Sequence, residues 1–143
     1  MTTDLDTPWV YFRIADDILY ATYKKNNVID LSIAKQIVQA RIDFTQDKDM
    51  LVVIYIEGLV TIDKTARDFI SSAEGVKRLI AAAIIIDSPF AATMGNFFNS
   101  INRPKKIPVR LCTNTDAAVT WLRKKSKHLQ TITKKSRDGQ ANP

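Results

Sequence analysis

Two apolar runs stand out along the chain, Met50 to Ile56 (MLVVIYI) and Ala81 to Asp87 (AAAIIID), and neither shows helical periodicity. Short uninterrupted apolar runs bounded by polar residues are the pattern of parallel strands covered on both faces. Ser88-Pro89 follows the second run, and a serine hydroxyl with proline at the first helical position starts a helix. Phe90, Met94, Phe97 and Ile101 then recur at spacings of 4, 3 and 4 on one side, until Pro104 stops the helix. Val109 to Thr113 reads as a further strand. Leu79 to Thr113 is therefore predicted to be strand, helix, strand, a βαβ unit around which the rest of the chain is organised.

Upstream, Trp9 to Ala15 and Ile18 to Tyr23 are rich in aromatic and β-branched residues and are separated by Asp16-Asp17, which predicts a hairpin. Asp30 is placed to cap a first helix from about Leu31 to Thr45, with Ala34, Ile37, Val38 and Phe44 on one side. Thr61 or Asp63 can cap a second, in which Ala66, Phe69, Ile70 and Ala73 share a face and Gly75 lies near the end. Asn114-Thr115-Asp116 caps a fourth, where Ala117, Ala118, Trp121 and Leu122 can cover the sheet.

The predicted order is β-β-α-β-α-β-α-β-α. Right-handed crossovers then give an α/β fold with a single mixed, mostly parallel sheet of about five strands and four helices, the N-terminal strand antiparallel at an edge. Residues 1–8 are expected to be a flexible lead, 9–125 the domain, and 126–143 a basic, disordered tail.

Length and charge refine this picture. A chain of 143 residues with 45% hydrophobic content suffices for one domain with a substantial core. Of 21 basic and 15 acidic residues, seven and one lie from Arg123 onward, leaving 14 of each before it. The net charge of +6 thus belongs to the tail. No apolar segment reaches the roughly 18 residues of a membrane helix, and the first residues, MTTDLDTP, are polar and acidic. A cytoplasmic protein without membrane insertion is expected. The single cysteine, Cys112, falls inside a strand and is expected to be a buried, inert thiol.

Catalytic chemistry finds little support. The one histidine, His128, lies in the basic tail, so neither a nucleophile-histidine set nor the usual zinc ligand sets can be assembled in the domain. Four glycines, at 58, 75, 95 and 139, form no phosphate loop or dinucleotide fingerprint. No catalytic residue, metal or cofactor is therefore assigned, and the expectation is that the protein is not an enzyme. Asp16-Asp17 and Asp47/Asp49 read as solvated turn residues. Asp63, Arg67 and Asp87 are better placed, at the carboxyl ends of parallel strands or the helix starts that follow, the edge where open α/β sheets bind ligands. Ser88, at the start of helix three, could hold an anion there, although plain helix capping explains it as well. The tail lacks aromatic residues to stack on bases, so it reads as a solubilising extension in preference to a nucleic-acid site.

The segments VIDLSIAKQIVQAR, IEGLVTIDKTARDF, AAAIIIDSPFAATMGNFFNSINRP and PVRLCTNTDAAVTWL, in this order and spacing, resemble the STAS-type fold of bacterial anti-sigma factor antagonists. They resemble more closely a group of small antagonist-like bacterial proteins. In the antagonists an Asp-Ser-Ser-Gly type motif after the central strand carries a phosphorylated serine. Laid on this chain the motif falls on Asp63-Lys64-Thr65-Ala66, which puts Thr65 at the phosphorylated position and retains only the aspartate. The resemblance implies a non-enzymatic regulatory or protein-interaction module. Its surface would combine the Thr61 to Arg67 turn with Asn96, Phe98 and Asn99 on the outer side of helix three, and its partner would be another protein, a second copy, or both. The alternative is a small-molecule or lipid-binding domain with a site at the carboxyl ends of the parallel strands, bordered by Asp63, Arg67 and Ser88.

Overall fold

The computed structural model describes residues 3–56, 60–85 and 107–127. Their strands are β1 (Asp4–Asp6), β2 (Val10–Ala15), β3 (Ile18–Tyr23), β4 (Asn27–Ile29), β5 (Met50–Ile56), β6 (Val60–Ile62), β7 (Leu79–Ile85) and β8 (Val109–Cys112). The helices are α1 (Leu31–Phe44), α2 (Lys64–Ile70) and α3 (residues 115–127). Among the described residues six strands form one sheet in the order β1-β2-β3-β5-β7-β8, and β4 pairs with β6 in a separate parallel ribbon. From β3 to β8 every pairing is parallel, whereas β1-β2 and β2-β3 are antiparallel.

The two long apolar runs became β5 and β7, at the centre of the sheet, because their side chains alternate between two covered faces. Val52 and Ile56 of β5 and Ala82 and Ile84 of β7 point to the face carrying α1 and α2, where Phe12, Ala34, Ile37 and Ala66 join them. Leu51 and Val53, with Ala81, Ala83 and Ile85, point to the other face, closed by Ala118 and Leu122 of α3. Ala117 is exposed on the outer side of that helix. Cys112 is buried in this second cluster, as expected of an inert thiol.

Local chemistry explains the element boundaries. Asp16 and Asp17 both adopt positive φ (51° and 64°), the conformation with which a two-residue hairpin loop matches the twist of its strands. Asp30, Asp63 and Asn114 each accept from a backbone amide three residues on, at 2.9, 2.9 and 2.8 Å, and so start the three helices.

Several differences from the expected plan stand out. The lead over residues 1–8 contains β1, which gives the sheet six strands and moves the antiparallel strand β2 inside the edge. Tyr11 donates to Asp4 at 2.9 Å and Lys24 pairs with Asp6, contacts between distant residues that periodicity cannot reveal. The β4-β6 ribbon is made of three-residue segments too short to carry a pattern. Helix α2 stops at Ile70, leaving Ala73 outside it, because the Ser71 and Ser72 hydroxyls donate back to the Arg67 and Phe69 carbonyls and Gly75 folds in beneath. The described helix α3 runs through 126 and 127, the first two residues of the segment expected to be a tail. The predicted third helix, over residues 89–103, lies outside the described residues, as do residues 128–143.

Candidate functional site

The β4-β6 ribbon positions the first candidate site. Ile29 pairs with Ile62, and the Asp63 amide donates to the Ile29 carbonyl at 3.1 Å. The register therefore sets Asp30 and Asp63, the caps of α1 and α2, side by side where the chain leaves the ribbon. Val60 and Ile62 are buried while Thr61 faces outward, which fixes the ribbon against the core and presents the turn that follows.

On that turn Asp63, Lys64, Thr65 and Asp68 are exposed and Arg67 is partly buried. The Asp63 carboxylate accepts from the Ala66 amide and from the Thr65 hydroxyl, both at 2.9 Å. These two bonds, with the nearby Arg67 charge, hold its carboxyl below the usual carboxylate value. Lys64 pairs with Asp68 one turn further on at 2.7 Å. The predicted residues Asp63, Thr65 and Arg67 thus come together in one ordered surface element. Asp87, Ser88, Asn96, Phe98 and Asn99 lie outside the described residues.

A second feature falls outside the sequence expectations. Between the sheet and α1 lies a cavity of about 90 Å³, lined almost wholly by aliphatic and aromatic side chains such as Phe12, Ile37, Val52 and Ile84. Among the described residues that line it, Arg41 alone carries a charge. Its side chain is only 6% exposed; Nη2 donates to the Gly75 carbonyl at 3.1 Å, and Nη1 has no hydrogen-bond partner among the described residues. Burial pulls the guanidinium below its ordinary value, and burial pushes the neighbouring Tyr23 phenol up, partly offset by the Arg41 charge. Asp63 and Arg67 do not line this cavity. The signal for Arg41 was present in the sequence: it follows Ala34, Ile37 and Val38 by seven, four and three residues, a charged side chain on the apolar stripe.

Elsewhere, an open cleft at Asp4, Asp6, Tyr11 and Lys24 lies along the β1 edge, where the charged pair blunts the strand against edge-to-edge pairing. Among the described residues no cluster of three His, Cys, Asp or Glu side chains could hold a metal, and no helix is long and apolar enough to cross a membrane.

Residues 12–126 match a family defined as a domain of unknown function, DUF7793. The chain belongs to that family. The match begins within β2 and ends in α3, so the DUF7793 domain comprises the sheet from its second strand, the ribbon and the three described helices. No curated protein matches the sequence. Among solved structures, the chain is similar to an uncharacterised protein of the DUF3478 family from Shewanella loihica PV-4, which has a SpoIIAA-like fold. The two share 14% identity at a TM-score of 0.54, over 85% of this chain and 98% of the other. At that identity the likeness establishes the fold, and the STAS-like architecture implied by the four sequence segments is the one observed.

Proposed function

We propose that this DUF7793 domain is a non-enzymatic, cytoplasmic interaction module of STAS-like type, and that a protein partner docks on the turn from Asp63 to Asp68. The observation that carries this reading is the combination of exposure and order at that turn. Four polar side chains face solvent on a segment pinned by the β4-β6 ribbon and by the Asp63 cap. A preordered surface loses little conformational entropy on binding.

The same geometry suggests a regulatory switch at Thr65, the position that aligns with the phosphorylated residue of the antagonists. Its hydroxyl donates to Asp63. A phosphoryl group would replace that donor with an acceptor-only dianion beside a carboxylate, breaking the bond by repulsion and changing the charge of the surface. Affinity capture from the source cell with the wild-type chain and with a Lys64→Glu/Asp68→Lys variant tests the docking reading. A protein retained by the wild type and released by the variant supports it, and equal retention overturns it. Intact-mass measurement of the chain from its native cells tests the switch, which requires a phosphate adduct lost in Thr65→Ala. Light scattering of the purified chain distinguishes a second copy from a different partner.

A further inference from the structure

We propose that the cavity between the sheet and α1 is a binding site for a small monocarboxylate with an apolar body, its carboxylate held by the inward guanidinium nitrogen of Arg41. The proposal is independent of the docking turn, which contributes nothing to the cavity lining.

The argument begins with a buried charge that lacks its counterion. Arginine stays protonated even under considerable desolvation, and burying a cation without an anionic partner is strongly unfavourable. Arg41 is buried at the cavity wall, donates one bond to a neutral carbonyl, and pairs with no carboxylate among the described residues. The compensating anion is therefore expected from outside the described residues, and we assign it to a bound ligand at Nη1.

The surroundings select which anion. Tyr23, the titratable group that faces Arg41, is held in its neutral form by burial. The end of the cavity thus carries one positive charge, which a monoanion neutralises and a phosphate dianion overcompensates. A planar carboxylate also matches the guanidinium fork. The remainder of the wall is apolar, with Val52, Ile54, Ile84 and Val109 supplied by the sheet, so the rest of the ligand must be hydrocarbon. An aliphatic cavity of about 150 Å³ accepts benzene. A volume of about 90 Å³ is smaller than that, so the ligand is limited to a short-chain acid such as propionate, and a ring or a lipid chain is excluded.

Propionate and its uncharged counterpart 1-propanol are the probes. Binding to the full chain is followed by NMR through the Gly75 amide and the Tyr23 ring, and separately through the melting temperature. Propionate is expected to saturate with a dissociation constant on the order of 1 mM and to outcompete propanol by about tenfold or more. That preference should vanish in Arg41→Met, which keeps the apolar volume. Ala82→Leu, which fills the cavity while keeping Arg41, should weaken both probes, and it maintains the test if Arg41→Met fails to fold. Equal affinities for propionate and propanol in the wild type, or propionate binding unaffected by Ala82→Leu, would overturn the proposal. So would the absence of saturable binding.

Discussion

Arg41 on α1 and Gly75 in the turn before β7 are joined by a hydrogen bond from Nη2 to the backbone carbonyl, 34 residues apart in sequence. The bond ties the helix to the irregular segment that follows α2. It also fixes the orientation of the guanidinium, whose Nη1 is buried without a hydrogen-bond partner among the described residues.

Gly75 cannot take a side chain without displacing backbone. A Cβ there would intrude on the carbonyl oxygens of Phe69 and Ile70, the last residues of α2. Gly75→Ala is expected to lower stability by about 1–3 kcal/mol, the usual range for overpacking a filled site. Urea denaturation checks this through a lower midpoint at unchanged slope.

Leu122 is fully buried where α3 closes the second face of the sheet. Leu122→Ala removes most of that side chain and leaves a cavity, at a cost of about 2–5 kcal/mol. The same denaturation experiment measures it. A loss below about 1 kcal/mol would mean that α3 contributes little to closing this face.

Arg78 adopts positive φ (68°) and bonds Asp47 through Nε at 2.8 Å and Nη2 at 3.1 Å, reaching Asp49 as well at 3.3 Å. The pairing holds the Asp47 carboxyl below its ordinary 3.8, and Asp63 is lowered likewise by its cap bonds. For a carboxyl depressed in the folded state, the stabilisation is complete above 3.8 and is lost as pH falls through the folded value. Melting temperature should therefore fall with acidification below about pH 4, and Asp47→Asn should flatten part of that slope. An unchanged slope would show that the Arg78 pair does not persist in solution.

Asp63 contributes its carboxylate to the Ala66 amide at the start of α2. Asp63→Ala should accelerate hydrogen exchange at Ala66, and Asp63→Ser, which retains a capping oxygen, should restore most of the protection. If the alanine variant exchanges like the wild type, the seven-residue helix is held by packing instead.

Asp47 and Asp49 show where sequence reasoning stopped short. They sit in a turn, as composition indicated, but their partner Arg78 lies about thirty residues away and is brought to them by the pairing of β5 with β7. The small sheet was hidden for the same reason, since a three-residue strand has meaning only through its neighbour. The turn from Asp63 to Asp68 was legible because Asp63 caps a helix directly after a strand, a purely local signal.

The sequence by itself determined the hairpin, the central strands β5 and β7, the positions of the three described helices and their capping residues. These depend on the alternation of side chains, on helical spacing and on hydrogen bonds spanning three residues. Only the tertiary structure decided that β1 joins the sheet, that β4 and β6 set two caps side by side, and that Arg41 faces an apolar cavity without a counterion among the described residues. Each of these depends on which distant segments become neighbours, and on whether a buried charge finds a partner when they do.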